Sequence, residues 1–99
     1  RDAVASAFQS AGQRCSALRL LCVQEDVADT MIEMIAGAMG ELNVGDPADP
    51  ATDVGPIIDA EAQANIAAYV AAARAEGRVL AEADRLVLPG DGHFVPPVI

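Results

Sequence analysis

The sequence has no tryptophan, only three aromatic residues and no lysine. Much of its 53% hydrophobic content is alanine, so little large apolar area is available per residue and the core should be thin. Six arginines against fifteen acidic residues give a net charge of −9. Nucleic-acid backbones and anionic membrane surfaces both attract cationic proteins, so we expect no nucleic-acid partner.

Long apolar runs and clustered metal ligands are also missing. No stretch approaches the roughly 20 apolar residues of a membrane-spanning helix, and no signal-like segment opens the chain. Cys15 and Cys22 stand apart from any other Cys or His, which argues against a zinc site and against a disulfide framework. We therefore predict reduced thiols, a cytoplasmic location, no metal site and no membrane segment.

Three helices are indicated by apolar residues at helical spacing. The first covers residues 2–11, with Gly12 as its C-terminal cap. The second runs from an Asp26 cap to about Asn43 and precedes a loop over 44–58 that is rich in Gly, Pro and Asp. The third runs from an Asp59 cap to Gly77.

Three short segments predict strands. Residues 17–23 form an apolar run typical of a buried parallel strand, and 78–82 and 85–88 have strand length. The final run, 94–99, contains two prolines, which favour an edge position. The alternation of helices and strands predicts an α/β fold with helices packed on a mostly parallel sheet.

Cys15 lies between the first helix and the first predicted strand, a junction at which α/β folds present reactive side chains. As thiolate it would be a nucleophile, and Arg14 could stabilise its negative charge. Taken alone, a single cysteine is more often a small buried hydrophobe. No base lies nearby, and His93 is interpreted as a solvent-exposed turn residue.

Residues 8–19, Phe-Gln-Ser-Ala-Gly-Gln-Arg-Cys-Ser-Ala-Leu-Arg, resemble the cysteine signature of the aldehyde dehydrogenase superfamily. Residues 43–47, 53–58 and 92–97 resemble later landmarks of the same family, in the same order. We refer to these four stretches as the landmark segments. Within the family, the sequence of residues 8–19 is most similar to that of the glutamate-semialdehyde (pyrroline-5-carboxylate) dehydrogenase module of bacterial bifunctional proline utilization proteins.

The resemblance implies that Cys15 is the catalytic nucleophile. The family's thiolate attacks an aldehyde to form a thiohemiacetal, hydride passes to NAD or NADP, and water hydrolyses the thioester to a carboxylate. The substrate implied is the small molecule L-glutamate 5-semialdehyde, and the product is L-glutamate. The Cys15 backbone N–H would donate to the oxyanion. Ser16 is a candidate substrate-binding residue or, equally, a cap of the adjacent backbone.

The resemblance also implies that much of the catalytic apparatus lies outside this sequence. The family's second oxyanion donor, its general base and its dinucleotide-binding strands all belong upstream of the matched segment. We therefore expect residues 1–99 to be a partial catalytic domain without a complete cofactor-binding domain, to bind no cofactor and to be inactive alone. FAD would be present only if the parent also carried a proline dehydrogenase domain.

The remaining polar and sulfur-containing residues near the signature have structural interpretations. Gln13 and Arg14 are expected to shape the loop, Arg19 to pair with an acid or to extend to solvent, and Cys22 to be part of the core.

Two alternatives to a dehydrogenase remain. The chain could be a non-catalytic folding or oligomerisation module with an incidental cysteine, or an unrelated thiol acyl-transfer enzyme. Both ends of the sequence fall inside predicted elements, at Arg1 and Ile99, which indicates a truncated sheet. Because such a sheet exposes edges and apolar faces, we expect self-association or marginal stability.

Overall fold

The computed structural model describes all residues, 1–99, and contains three helices and two short strands. The elements are α1 Asp2–Phe8, a 3-10 turn Gln9–Gly12, α2 Glu25–Gly40, β1 Val44–Gly45, α3 Ala60–Ala75 and β2 Leu86–Val87. The two strands pair in parallel, with Val44 opposite Leu86 and Gly45 opposite Val87. The predicted α/β class with a parallel sheet is confirmed, although the sheet has only these two strands. None of the helices combines the length and the hydropathy needed to cross a membrane.

Both ends of α3 are set by the residues that the sequence indicated. The Asp59 carboxylate accepts a hydrogen bond of 2.8 Å from the amide three residues later, which caps the helix. Gly77 has a φ of 69°. Its amide donates to the Arg74 carbonyl, and the Arg78 amide donates to the Ala73 carbonyl, at 3.0 and 2.9 Å. This pair of bonds is the Schellman arrangement that terminates helices at a glycine.

The bounds of α2 differ from the prediction. The helix begins at Glu25, one residue before the predicted Asp26 cap, and Gln24 precedes it without a capping side-chain bond. Glu25 and Asp26 both lie in the first turn, where their negative charges interact favourably with the helix dipole. The helix ends at Gly40, three residues before Asn43.

The loop after α2 is closed by side-chain hydrogen bonds. The Asn43 backbone amide donates to the Asp53 carboxylate at 2.9 Å, and its side-chain amide donates to the Ala51 carbonyl at 3.1 Å. Asp46 and Asp49 each accept from the amide two residues further on. Such local bonds are the reason that Asp and Asn favour turns, so the predicted turn signals are confirmed.

The predicted strand over 17–23 is wrong. Residues 19–23 make no backbone hydrogen bonds, and the side chains of Leu20 and Leu21 are 78% and 43% exposed. Cys22, expected in the core, is also exposed. A strand is stable only when a neighbour satisfies its backbone groups, and this chain places no neighbour beside the segment.

The predicted strand over 78–82 is reduced to a single antiparallel bridge, between Glu82 and Val98. Around it, the Ala83 amide donates to the Pro97 carbonyl at 2.9 Å. A proline cannot donate to a ladder but can accept, so Pro97 pairs through its carbonyl, whereas the Ile99 amide donates to the Ala81 carbonyl at 3.0 Å. The predicted strand over 85–88 is confirmed in its central two residues as β2.

The core is a small cluster at one end of α2. Its four buried members are Met39, Val44, Val54 and Ala83. Partly buried hydrophobic residues pack against it: Phe8, Ala11, Leu42, Ala81, Phe94 and Ile99. Only 10 of the 99 residues are buried, which confirms the expectation of a thin core. Each of the four landmark segments contributes at least one side chain to this cluster or its surroundings.

Candidate active site

Cys15 lies in an unusual turn that follows α1. The helix ends at Phe8, three residues before the predicted end. Three consecutive residues then adopt left-handed backbone angles, with φ values of 56° at Ser10, 54° at Ala11 and 68° at Gly12. Gly12 adopts this conformation freely, whereas left-handed geometry costs other residues about 1–2 kcal/mol each. We call residues 9–17 the cysteine turn.

The reactive end of the cysteine turn is open to solvent. The Ala17 amide donates to the Arg14 carbonyl at 3.1 Å, which closes a tight loop around Cys15 and Ser16. Both of these residues are exposed, and neither side chain makes a hydrogen bond within the chain. The capping bond considered for Ser16 is therefore not formed. An incoming molecule can reach the Cys15 sulfur directly.

Two arginines flank the cysteine without an acidic partner. Arg14 donates to the Gln9 side chain at 3.1 Å, and Arg19 donates to the Gly12 carbonyl at 2.9 Å. Arg19 pairs with no acid; it is exposed, as the alternative expectation had it, and its guanidinium also holds the left-handed backbone at Gly12. The ion pairs of this acidic chain are formed instead by Arg74, Arg78 and Arg85. Arg14, within the cysteine turn, and Arg19, just beyond it, thus form no ion pair.

Gln13 connects the cysteine turn to a distant part of the chain. Its side-chain nitrogen donates to the Ser10 carbonyl at 3.2 Å and to the Pro56 carbonyl at 3.1 Å. Its side-chain oxygen accepts from the Ile58 amide at 2.8 Å. Gln13 does shape the loop locally, as expected, but two of its three bonds span 43 and 45 residues of sequence.

The landmark segments are joined to one another by further backbone bonds. The Gly45 amide donates to the Val54 carbonyl at 3.0 Å, which links the second segment to the third. The Ile57 amide donates to the His93 carbonyl at 2.6 Å, which links the third to the fourth. Together with the Gln13 bonds, they connect all four segments in a single hydrogen-bonded series that starts at the cysteine turn.

His93 belongs to this framework and makes no hydrogen bond to Cys15. Its Nδ1 lies 3.3 Å from the Gln63 side-chain oxygen. Because the Gln63 nitrogen donates to the Phe94 carbonyl at 2.9 Å, its oxygen is the acceptor and Nδ1 of the imidazole carries the proton. The interpretation of His93 as a solvent-exposed turn residue is wrong, since the residue is half-buried.

An apolar groove of about 870 Å³ lies in the chain, and Cys15 does not line it. Its walls come from α1, α2, α3 and the terminal run, and 21 of its 26 lining residues are hydrophobic. No acid, histidine or cysteine lines it, and Tyr69 and Arg19 are its titratable members. The groove is therefore a mainly apolar surface, separate from the exposed Cys15.

The Gly90-Asp91-Gly92 turn lacks the following helix that completes a phosphate-cradling glycine motif. A Cβ atom at Gly92 would lie 2.5 Å from the Phe94 ring, whereas one at Gly90 would meet nothing within 4 Å. No group of three or more His, Cys, Asp or Glu side chains is placed to bind a metal.

The sequence matches a known family over its whole length. The profile described as aldehyde dehydrogenase family covers residues 1–99. The bifunctional protein PutA of Klebsiella aerogenes is 50% identical over 99% of this chain, and the 1-pyrroline-5-carboxylate dehydrogenase of Geobacillus kaustophilus is 38% identical over 97% of it. The chain spans about 8% and 18% of the lengths of these two relatives.

Comparison with solved structures gives the same family as comparison of sequences. A crystal structure of a variant of proline utilization A (PutA) from Bradyrhizobium japonicum superimposes on 98% of this chain with a TM-score of 0.87 and 57% sequence identity. The chain covers 10% of that structure. The resemblance carried by the landmark segments is thereby confirmed at the levels of sequence and fold.

Proposed function

Because the chain belongs to the aldehyde dehydrogenase family, we propose that residues 1–99 are the cysteine-bearing part of its catalytic domain, with Cys15 as the nucleophile. The intact protein would oxidise L-glutamate 5-semialdehyde to L-glutamate. The observation that carries the proposal is the exposed Cys15 in a turn that is hydrogen-bonded to the other landmark segments. The similarity to PutA and to 1-pyrroline-5-carboxylate dehydrogenase supports this choice of aldehyde.

The residues of the cysteine turn suit the first step of aldehyde oxidation. The Cys15 thiolate forms a bond to the aldehyde carbon while the carbonyl π bond opens, which leaves the negative charge on oxygen. A backbone N–H donor at this position would stabilise that charge, and the charges of Arg14 and Arg19 favour anions nearby. Ser16 is exposed beside the sulfur and is proposed to contact the substrate.

The oxidation itself requires groups that this chain does not provide. The family implies NAD or NADP as hydride acceptor, and the dinucleotide-binding strands of the family lie upstream of the segment that these residues match. Neither an acid nor a histidine is hydrogen-bonded to Cys15 as a base. The 99 residues are proposed to supply the nucleophilic half of an active site and to be inactive alone.

A chimaera tests the proposal most directly. Residues 1–99 would replace the matching segment of the Bradyrhizobium japonicum PutA, for which the identity of 57% and the TM-score of 0.87 favour a compatible fit. The rate of NAD reduction with L-glutamate 5-semialdehyde would be compared with that of unmodified PutA. If Cys15 is the nucleophile, the inserted segment places it where the rest of PutA requires it. We therefore expect the chimaera to keep at least about a tenth of the reference rate.

The chimaera also separates the competing interpretations. A folded, normally assembled chimaera without dehydrogenase activity would support the non-catalytic module and overturn the proposal. Activity with a thioester, in place of the aldehyde and without NAD reduction, would support the acyl-transfer alternative.

We also propose that the chain self-associates when it is alone. Its accessible surface is 6787 Å², whereas a compact protein of 10.2 kDa exposes about 5,300 Å². The excess of about 1,500 Å² is nearly twice the area of about 800 Å² that each partner buries in a standard protein interface. The apolar groove holds part of this surface, and a second copy of the chain offers an apolar surface of the same kind.

Sedimentation velocity at increasing concentration is expected to show species larger than the 10.2 kDa monomer. Replacing Ile66, which lines the groove, with Ser should reduce the association. Replacing Ile58, which is 81% exposed but lies outside the groove, provides the matched control and should reduce it less. A stable monomer at all concentrations would contradict the expectation.

A further inference from the structure

We propose that Gln13 is a positioning residue for the nucleophile, which it holds in place through its bonds to Pro56 and Ile58. This inference rests on the proposed role of Cys15.

Local bonds alone do not fix the cysteine turn relative to the rest of the protein. The backbone bond from Gln13 to Ser10 and the bond from Ala17 to Arg14 each join residues three apart. The Arg14 side chain reaches only Gln9, five residues away. These contacts define the shape of the turn, and packing of the partly buried Ala11 against the core cluster adds a nonpolar attachment.

Gln13 supplies the side-chain hydrogen bonds that join the turn to another segment. Both hydrogens of its side-chain nitrogen are used, at 3.2 and 3.1 Å, and its oxygen accepts a bond of 2.8 Å. These distances lie within the normal range for N–H donors. No charged residue can reproduce the arrangement, because a carboxylate cannot donate and an ammonium group cannot accept.

The third landmark segment, residues 53–58, to which Gln13 is hydrogen-bonded, is itself packed against the rest of the chain. Ile57, between the two bonded residues, is only 5% exposed, and its amide donates to the His93 carbonyl at 2.6 Å. Val54, at the start of the same segment, is 2% exposed and belongs to the core cluster. The bond to Ile58 therefore ties a solvent-exposed turn to the best-packed part of the chain.

Only Arg14 separates Gln13 from Cys15, and the bond from Arg19 to Gly12 holds the residue that precedes Gln13. The position of the Cys15 sulfur and of its backbone amide is thus determined by anchors on adjacent residues. Misplacing a reacting group by about 1 Å can reduce a rate by roughly 100-fold. The loss of the Gln13 anchor should consequently appear in kcat more than in KM.

The test uses Gln13→Met and Gln13→Glu in the PutA chimaera. Methionine has a similar length without hydrogen bonds, whereas glutamate keeps the acceptor for Ile58 and loses the donors. Gln24→Met is the matched control, because Gln24 is exposed and makes no side-chain hydrogen bond. The concentration of competent sites would be titrated by the burst of NAD reduction, so that kcat refers to folded enzyme.

We expect Gln13→Met to lower kcat per titrated site by 10- to 100-fold and to change KM less than threefold. Gln13→Glu should recover part of that loss, and Gln24→Met should match the unmodified chimaera. If Gln13→Met lowers only the number of titratable sites, with kcat per site within twofold, the role of Gln13 is structural. The positioning inference then fails, and the proposed function of Cys15 is unaffected. An unmodified chimaera that is folded but inactive overturns the proposed function and this inference together.

Discussion

Replacing Cys15 with Ala in the PutA chimaera is expected to reduce aldehyde oxidation by at least about 10,000-fold, comparable to the loss of a nucleophile in other covalent enzymes. The reason is that no other group at the cysteine turn can form the bond to the aldehyde carbon. Ser16 is adjacent and exposed, but its hydroxyl has no hydrogen-bonded base to activate it. NAD reduction with L-glutamate 5-semialdehyde provides the measurement.

Cys22→Ala is the matched control for this experiment. Both cysteines are free and exposed in this chain, so a general effect of losing a thiol would appear in both variants. We expect Cys22→Ala to retain the activity of the chimaera. Equal activity in the two variants would mean that Cys15 is not the nucleophile.

The second large effect is expected at Gly12. A Cβ atom at this position would lie 2.9 Å from the Ala7 carbonyl oxygen, and the φ of 68° is unfavourable for any residue other than glycine. The backbone conformation costs about 1–2 kcal/mol and the steric overlap about 1–3 kcal/mol. Gly12→Ala should therefore remove a large fraction of the free energy of unfolding, which is about 5–15 kcal/mol for typical domains.

Urea unfolding of the 99-residue chain, followed by helix signal at one fixed protein concentration, would measure this loss. Gly37→Ala is the control, and we expect it to raise the free energy of unfolding where Gly12→Ala lowers it. Gly37 lies within α2, and a Cβ atom there would meet nothing within 4 Å. Alanine should stabilise the helix by about 1 kcal/mol at such a position. A Gly12→Ala variant as stable as the parent would contradict the strained geometry of the cysteine turn.

The parts of the fold that the sequence predicted well depend on neighbouring residues. The ends of α3 follow from a carboxylate cap at Asp59 and a left-handed glycine at Gly77, and both interactions span at most five residues. The position of Cys15 beyond the first helix was likewise evident from local spacing. Interactions over such short distances are encoded in a short window of sequence.

The errors concern interactions between distant residues. The apolar pattern of 17–23 is suited to a strand, but a strand requires partners that only the tertiary structure can provide. Gln13 gave no local signal of its bonds to Pro56 and Ile58, because 43 and 45 residues intervene. Arg19 was expected to pair with an acid or to extend to solvent; it is exposed, and its hydrogen-bond partner is a backbone carbonyl in the adjoining turn. Every residue carries a backbone carbonyl, so the pattern of side chains in a sequence does not predict which carbonyl will accept a hydrogen bond.

The bridge from Gln13 has a consequence for the order in which the protein is made. Ribosomes build the chain from its N-terminus, so Cys15 is synthesised well before Pro56 and Ile58, and these before His93. The turn can form its local bonds early, but its anchorage must wait until some 45 further residues have been added. Closing this loop costs more conformational entropy than closing the three-residue turns around Cys15. During synthesis, the thiol therefore precedes the residues that anchor its turn.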